Sequence, residues 1–136
     1  MMRTGAVVSV AALGFALSGI AGLALAGTGV VLPSGLEAGL LEGFVEVQPD
    51  GARWARFRYV MPALAEGGDF DRVQDDFIVL CETQALPMLS DAGEDVSQII
   101  VSLMDKPLEF GQSDSGSVQY FEIFAIREGR RIWEEF

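Results

Sequence analysis

Between Asp69 and Pro87 runs a helical pattern that limits the rest of the chain: Phe70, Val73, Phe77, Leu80 and Cys81 fall in steps of three, four, three and one. That spacing makes a single apolar stripe, and a stripe is buried only against another layer. The segments on either side read as strands, so the expected fold is α+β, with one helix lying across a small sheet. Asp69 supplies an N-cap, and Asp71, Asp75 and Asp76 sit in the first turns, where carboxylates favour the positive end of the helix dipole. Pro87 is expected to end the helix near Leu86.

Before the helix, Phe44-Val45-Glu46-Val47 and the run from Trp54 to Met61 flank Gln48-Pro49-Asp50-Gly51. Pro sets φ at the second turn position and Gly accepts the left-handed conformation that follows, so the two runs form a hairpin. On the second run Ala55, Phe57, Tyr59 and Met61 share one face, and Trp54, Arg56, Arg58 and Val60 share the other. After the helix, Ser90 to Ser97 reads as a polar loop. Ile99-Ile100-Val101 with Leu103 is a nearly continuous apolar run, as in a central strand covered on both faces. Asp105-Lys106-Pro107 turns the chain, and Gly111 to Ser117 is a polar loop. Val118 to Ile126 then pairs with the terminal Arg131-Ile132-Trp133-Glu134-Glu135-Phe136 across Arg127-Glu128-Gly129-Arg130. The order is β-β-α-β-β-β, an antiparallel sheet of about five strands.

The first 26 residues have the composition of a sorting signal. Arg3 is their only charge, an apolar run extends from Ala6 to about Ala26, and the run closes on the small-x-small triplet Ala24-Leu25-Ala26. This is the layout of a secretory signal peptide cleaved near Ala26. The chain divides accordingly into a signal peptide (1–26), a linker or entering strand (27–41) and a single α+β domain (42–136). Uncleaved, the same segment is about long enough to tether the protein to a membrane, which is the alternative. The whole chain has 136 residues with 9 basic against 20 acidic side chains, net −11. Cleavage removes one Arg and no acid, so the exported 110 residues are more acidic still.

Composition excludes several chemistries. With no His the usual near-neutral base and the commonest metal ligand are missing, and one Cys makes neither an internal disulfide nor a cysteine zinc site. The acidic balance argues against nucleic acid. No glycine-rich phosphate loop, nucleophile elbow or helical pair of metal ligands is present. Paired carboxylates divide acid and base roles in some enzymes, but Asp75-Asp76 lies on an expected exposed helical turn, and the neighbours Glu134-Glu135 point to opposite strand faces. Asp91, Glu94 and Asp95 around Gly93 supply hard oxygen ligands without the alternating pattern of a calcium loop.

Two further candidates remain. Cys81, the candidate free thiol, falls on the apolar stripe, where a packed thiol is the plain expectation and an intermolecular disulfide the alternative. As a nucleophile it lacks a His partner. Trp54, Arg56 and Arg58, with Arg53 beside them, make a basic and aromatic strip, the candidate partner-binding face. The competing expectation is that these arginines pair with cross-strand glutamates such as Glu46.

From Phe57 to Phe136 the sequence resembles an uncharacterised family of small exported bacterial proteins, a domain of unknown function. The resemblance rests on Phe57-Arg58-Tyr59-Val60-Met61-Pro62-Ala63, on Leu80-Cys81-Glu82 with Ala85-Leu86-Pro87, and on Ile100-Val101-Ser102-Leu103-Met104-Asp105-Lys106-Pro107 with Glu109-Phe110-Gly111. Gln119-Tyr120-Phe121-Glu122 and the ending Ile132-Trp133-Glu134-Glu135-Phe136 complete it. It implies a signal-bearing single domain and no reaction. Some members carry the name acetolactate synthase, which does not fit: that catalytic subunit is a multidomain thiamine-diphosphate protein several times longer. The resemblance also implies a second Cys shortly before the Trp, where this chain has Arg130-Arg131, so that Cys81 is half of a bridge without its partner.

The function expected from all this is that of a small acidic periplasmic or secreted protein, a non-catalytic binding or accessory module for another envelope protein, with no cofactor. A carboxylate-based metal-dependent binder or small enzyme is one alternative, and a membrane-tethered envelope protein is the other.

Overall fold

The computed structural model describes residues 30–112 and 114–132. The expected signal peptide, Trp133 and the Glu134-Glu135 pair lie outside the described residues. Six strands form one sheet in chain order: β1 (Val30–Val31), β2 (Glu37–Val47), β3 (Arg53–Val60), β4 (Gln98–Met104), β5 (Gln119–Arg127) and β6 (Arg130–Ile132). A 3₁₀ turn, Pro62–Glu66, follows β3. One helix then runs from Phe70 to Ala92 as α1 (Phe70–Leu80), a π-helical turn (Cys81–Ala85) and α2 (Leu86–Ala92). The architecture is α+β, as the single stripe requires.

The sheet is antiparallel at every junction except one. β3 and β4 are parallel, with Ala55 beside Ile99 and Tyr59 beside Leu103, which corrects the expectation of a wholly antiparallel sheet. A hairpin re-enters the sheet at the end the chain has just left, but the helical crossover carries the chain back to the end where β3 began, so the two adjacent strands run the same way. Strand β4 is thereby central, and Ile99 through Met104 are all buried, as the nearly continuous apolar run predicts, with Ser102 the one polar side chain among them.

The helix also departs from expectation at its far end. It passes through Pro87 and stops at Gly93, a left-handed C-cap with φ +69°, so the polar loop is shorter than Ser90–Ser97. Inside a regular helix Pro87 would have no N–H for the carbonyl four residues back and its ring would collide with that carbonyl. The π turn sits in the five residues just before α2, where the Leu86 N–H reaches the Cys81 carbonyl. The widened turn accommodates the proline instead of breaking the helix there.

The helix covers one face of the sheet. Val73, Phe77, Leu80 and Cys81 are fully buried against Phe57, Tyr59, Ile99, Val101 and Leu103 in a common core, with Phe70 half-buried at its edge against Tyr120, ring centroids 5.6 Å apart. Asp69 caps α1, its Oδ1 accepting from the Arg72 N–H at 2.9 Å. Asp76 was expected on an exposed turn and is fully buried instead. Its two oxygens accept from the backbone N–H (3.0 Å) and hydroxyl (2.6 Å) of Ser34, and so fasten the β1–β2 turn to the helix. Burial of a carboxylate is tolerable when hydrogen bonds replace its water.

Strand β2 carries a bulge at Leu41, between the Leu40–Tyr59 and Glu42–Arg58 pairs. The extra residue shifts the alternation by one, so that even-numbered Ala38 and Leu40 and odd-numbered Gly43 and Val45 all face the core. Leu32, Ala38 and Leu40 belong to that core although they fall within 27–41, the stretch read as a linker or entering strand.

Candidate functional site

The face of the sheet turned away from the helix is the candidate site, and strand pairing fixes its layout row by row. Glu46, Trp54, Gln98 and Ala125 make the first row; Phe44, Arg56, Ile100 and Ile123 the second; Glu42, Arg58, Ser102 and Phe121 the third. Trp54, Arg56 and Arg58 therefore do share one face, as their period of two requires.

Over β2 and β3 that face is occupied by ion pairs and aromatic rings. Arg56 Nε donates to Glu46 Oε1 at 2.7 Å, and Arg58 pairs with Glu42 while also donating to the Leu108 carbonyl and lying 3.8 Å from the Met104 sulfur. Phe110, from the loop after β4, folds back over both guanidinium groups at 4.9 and 5.7 Å and meets Phe44 edge-on at 5.1 Å. Arg58 is thus buried and Arg56 half-buried. The cross-strand pairing with Glu46 is what the structure places here, and both cations are engaged within the chain. Arg53 lies at the strand's start, paired with Glu94 and donating to the Asp95 carbonyl at 3.1 Å.

Over β4 the same face is buried, at Ile100, Ser102 and Met104, and on β5 it exposes two large apolar side chains. Phe121 is 59% exposed and Ile123 47%, side by side on β5, next to Ile100. Neither belongs to the basic and aromatic strip that the sequence marks as the candidate partner-binding face, nor does Phe110. The period-two alternation Gln119, Phe121, Ile123, Ala125 against Tyr120, Glu122, Phe124, Ile126 carried the signal for β5, whereas nothing local marks Phe110 as a lid over β3. The loop that bears Phe110 is tied at its base, where Asp105 Oδ1 accepts from the Val118 N–H at 3.2 Å. It is tied again by Lys106 and Asp114 at 2.8 Å, a hydrogen bond that raises the lysine pKa and lowers that of the aspartate.

The other sequence candidates fall elsewhere. Cys81 is free and buried in the π turn, and burial pushes its thiol up to about 12, against the lowering influence of Arg131. Arg131 itself holds Glu82 at 2.8 Å, so the terminal hairpin and the π turn meet at this cysteine. Tyr59, buried beneath, donates to Gln84 Oε1 at 2.8 Å, and burial raises its pKa as well. Asp75 is exposed while Asp76 is buried, so these neighbours do not act on one substrate. Of the acids after the helix, Glu94 is committed to Arg53, and among the described residues no three His, Cys, Asp or Glu side chains gather as a metal site. Among the described residues no helix is long and apolar enough to cross a membrane.

The comparisons match the chain over residues 13–136 to a family model described as Family of unknown function (DUF6497). No curated protein and no solved structure matches.

Proposed function

We propose that this chain, which belongs to that family of unknown function, is a non-catalytic binding module that acts in the periplasm or outside the cell and holds another envelope protein on the face of β5 that exposes Phe121 and Ile123. One observation carries the proposal: Phe121 and Ile123 stand exposed and adjacent on a face whose other half is closed by Phe110 and two ion pairs. Contiguous exposed apolar side chains rimmed by polar residues mark interaction sites. The export signal read from residues 1–26 and the net charge of −11 support a partner that is neither nucleic acid nor cytoplasmic.

The test is affinity capture of the full chain from an export-competent host, comparing the parent with F121S/I123S and with a distant surface control, E66Q. A partner retained by the parent and control and lost by the double variant supports the proposal. Equal recovery by all three, with the double variant still melting cooperatively, overturns it.

A further inference from the structure

Leu40 and Leu41 stand side by side at the bulge in β2, and the strand register uses only one of them. Leu40 lies opposite Tyr59, and the next pair joins Glu42 to Arg58, so Leu41 is the extra residue. Leu40 is buried in the core, whereas Leu41 is 37% exposed. A bulge sets two residues of one strand against one of its partner. Side-chain burial ordinarily decides which of the two is left over, but here the two side chains are identical.

A second placement follows when the bulge moves one residue towards the start of β2. Gly43 faces the core and Glu42 faces away from it, so unbroken alternation turns Leu41 inward, opposite Tyr59, and leaves Leu40 as the extra residue. Nothing else in the register changes. Glu42 keeps its ion pair with Arg58, Gly39 stays opposite Val60, and Glu37 and Ala38 stay opposite Val31 and Val30. Both placements put a leucine against the same ring and differ only in the backbone of residues 40 and 41. Gly39 and Gly43, without a Cβ, ease the backbone rotation on either side. Movement the other way, to Gly43, would bring Glu42 to the core face, so the exchange has one direction open to it. We propose that β2 is a two-state strand, in which the bulge moves between Leu41 and Leu40 and the two leucines exchange between core and surface. Packed cores change by jumps between discrete arrangements of this kind. A partner that grips Leu41 on the surface selects the present state, and one that grips Leu40 selects the other, each by its difference in affinity.

The test is a double-mutant cycle on the full chain, Leu40→Ala, Leu41→Ala and L40A/L41A, each unfolded in urea. Truncating a buried leucine that nothing replaces raises the unfolding equilibrium constant about thirtyfold or more. Each single variant is expected to raise it less than about tenfold, because the remaining leucine fills the place opposite Tyr59, and the double variant about thirtyfold or more. A cost below about tenfold for Leu40→Ala also sets the population of the second state in the parent, at no less than about a tenth of the first. In the Leu40→Ala chain the Leu41 methyl groups are expected to show nuclear Overhauser contacts with the Tyr59 ring. A Leu40→Ala chain that is unfolded, or as destabilised as the double variant, overturns the proposal. So does a stable Leu40→Ala chain whose Leu41 methyl groups make no contact with that ring, since the core has then closed by another route.

Discussion

Glu128 is the one non-glycine residue with positive φ among those described, at +51°, followed by Gly129 at +74°. The two form the two-residue loop between β5 and β6, with Arg127 opposite Arg130, and positive φ at both central positions is the primed turn that matches strand twist. Glu tolerates that conformation poorly, whereas Asn adopts it readily. Glu128→Asn is expected to stabilise the domain by about 0.5–1 kcal/mol, a rise of a few degrees in Tm by calorimetry. An unchanged or lower Tm would show that the turn is not strained. Cys81 offers a second residue-scale check. A thiol pushed up to about 12 is thiolate in only about one molecule in ten thousand at pH 8, and this one is also buried. Iodoacetamide should modify the native chain at pH 8 at least about a hundredfold more slowly than the chain in guanidinium. Comparable rates by mass spectrometry would contradict its burial. These residues were partly legible in advance: the stripe placed Cys81 inside, while the buried role of Asp76 was hidden because its partner, Ser34, lies 42 positions away.

At the scale of elements, the bulge in β2 decides which side chains of the chain's first strands reach the core. Leu41 is the extra residue, so its deletion leaves Leu40 opposite Tyr59 and Glu42 opposite Arg58, joined without interruption. Deleting Leu41 is therefore expected to change stability by less than about 1 kcal/mol in urea unfolding. Deleting Phe44 instead moves Glu42 to the position facing the core, and loss of more than about 3 kcal/mol is expected. If the two deletions cost the same, the bulge does not set the register. Residues 30–41 show no single period because they take in β1, the turn that separates it from β2 and only the start of β2, as far as the bulge at Leu41. The hairpin at Pro49-Asp50-Gly51 was legible for the opposite reason. Its chemistry is local, and Gly51 takes φ +90° with its N–H on the Gln48 carbonyl at 2.8 Å.

For the whole molecule, charge is the dominant long-range term. Twenty acids and nine bases give −11, and five of the bases, Arg53, Arg56, Arg58, Lys106 and Arg131, each hold an acid. Such pairs on the surface contribute little each, while the uncompensated carboxylates repel one another. Raising NaCl from about 0.02 to about 0.5 M shortens the Debye length from roughly 20 to roughly 4 Å, so Tm is expected to rise by several degrees. A fall in Tm would mean that the ion pairs, Arg58–Glu42 above all, outweigh the repulsion. The sequence by itself determined the single helix, its N-cap, both hairpin turns, the central strand and the inward face of β3, because each depends on periodicity or turn chemistry within about a dozen residues. Tertiary structure alone decided the parallel pairing of β3 and β4, the folding of Phe110 over Arg56 and Arg58, the burial of Asp76 and the exposure of Phe121 and Ile123. Each of these depends on which distant segment arrives opposite a residue, and a one-dimensional pattern fixes the direction a side chain faces without fixing what comes to cover it.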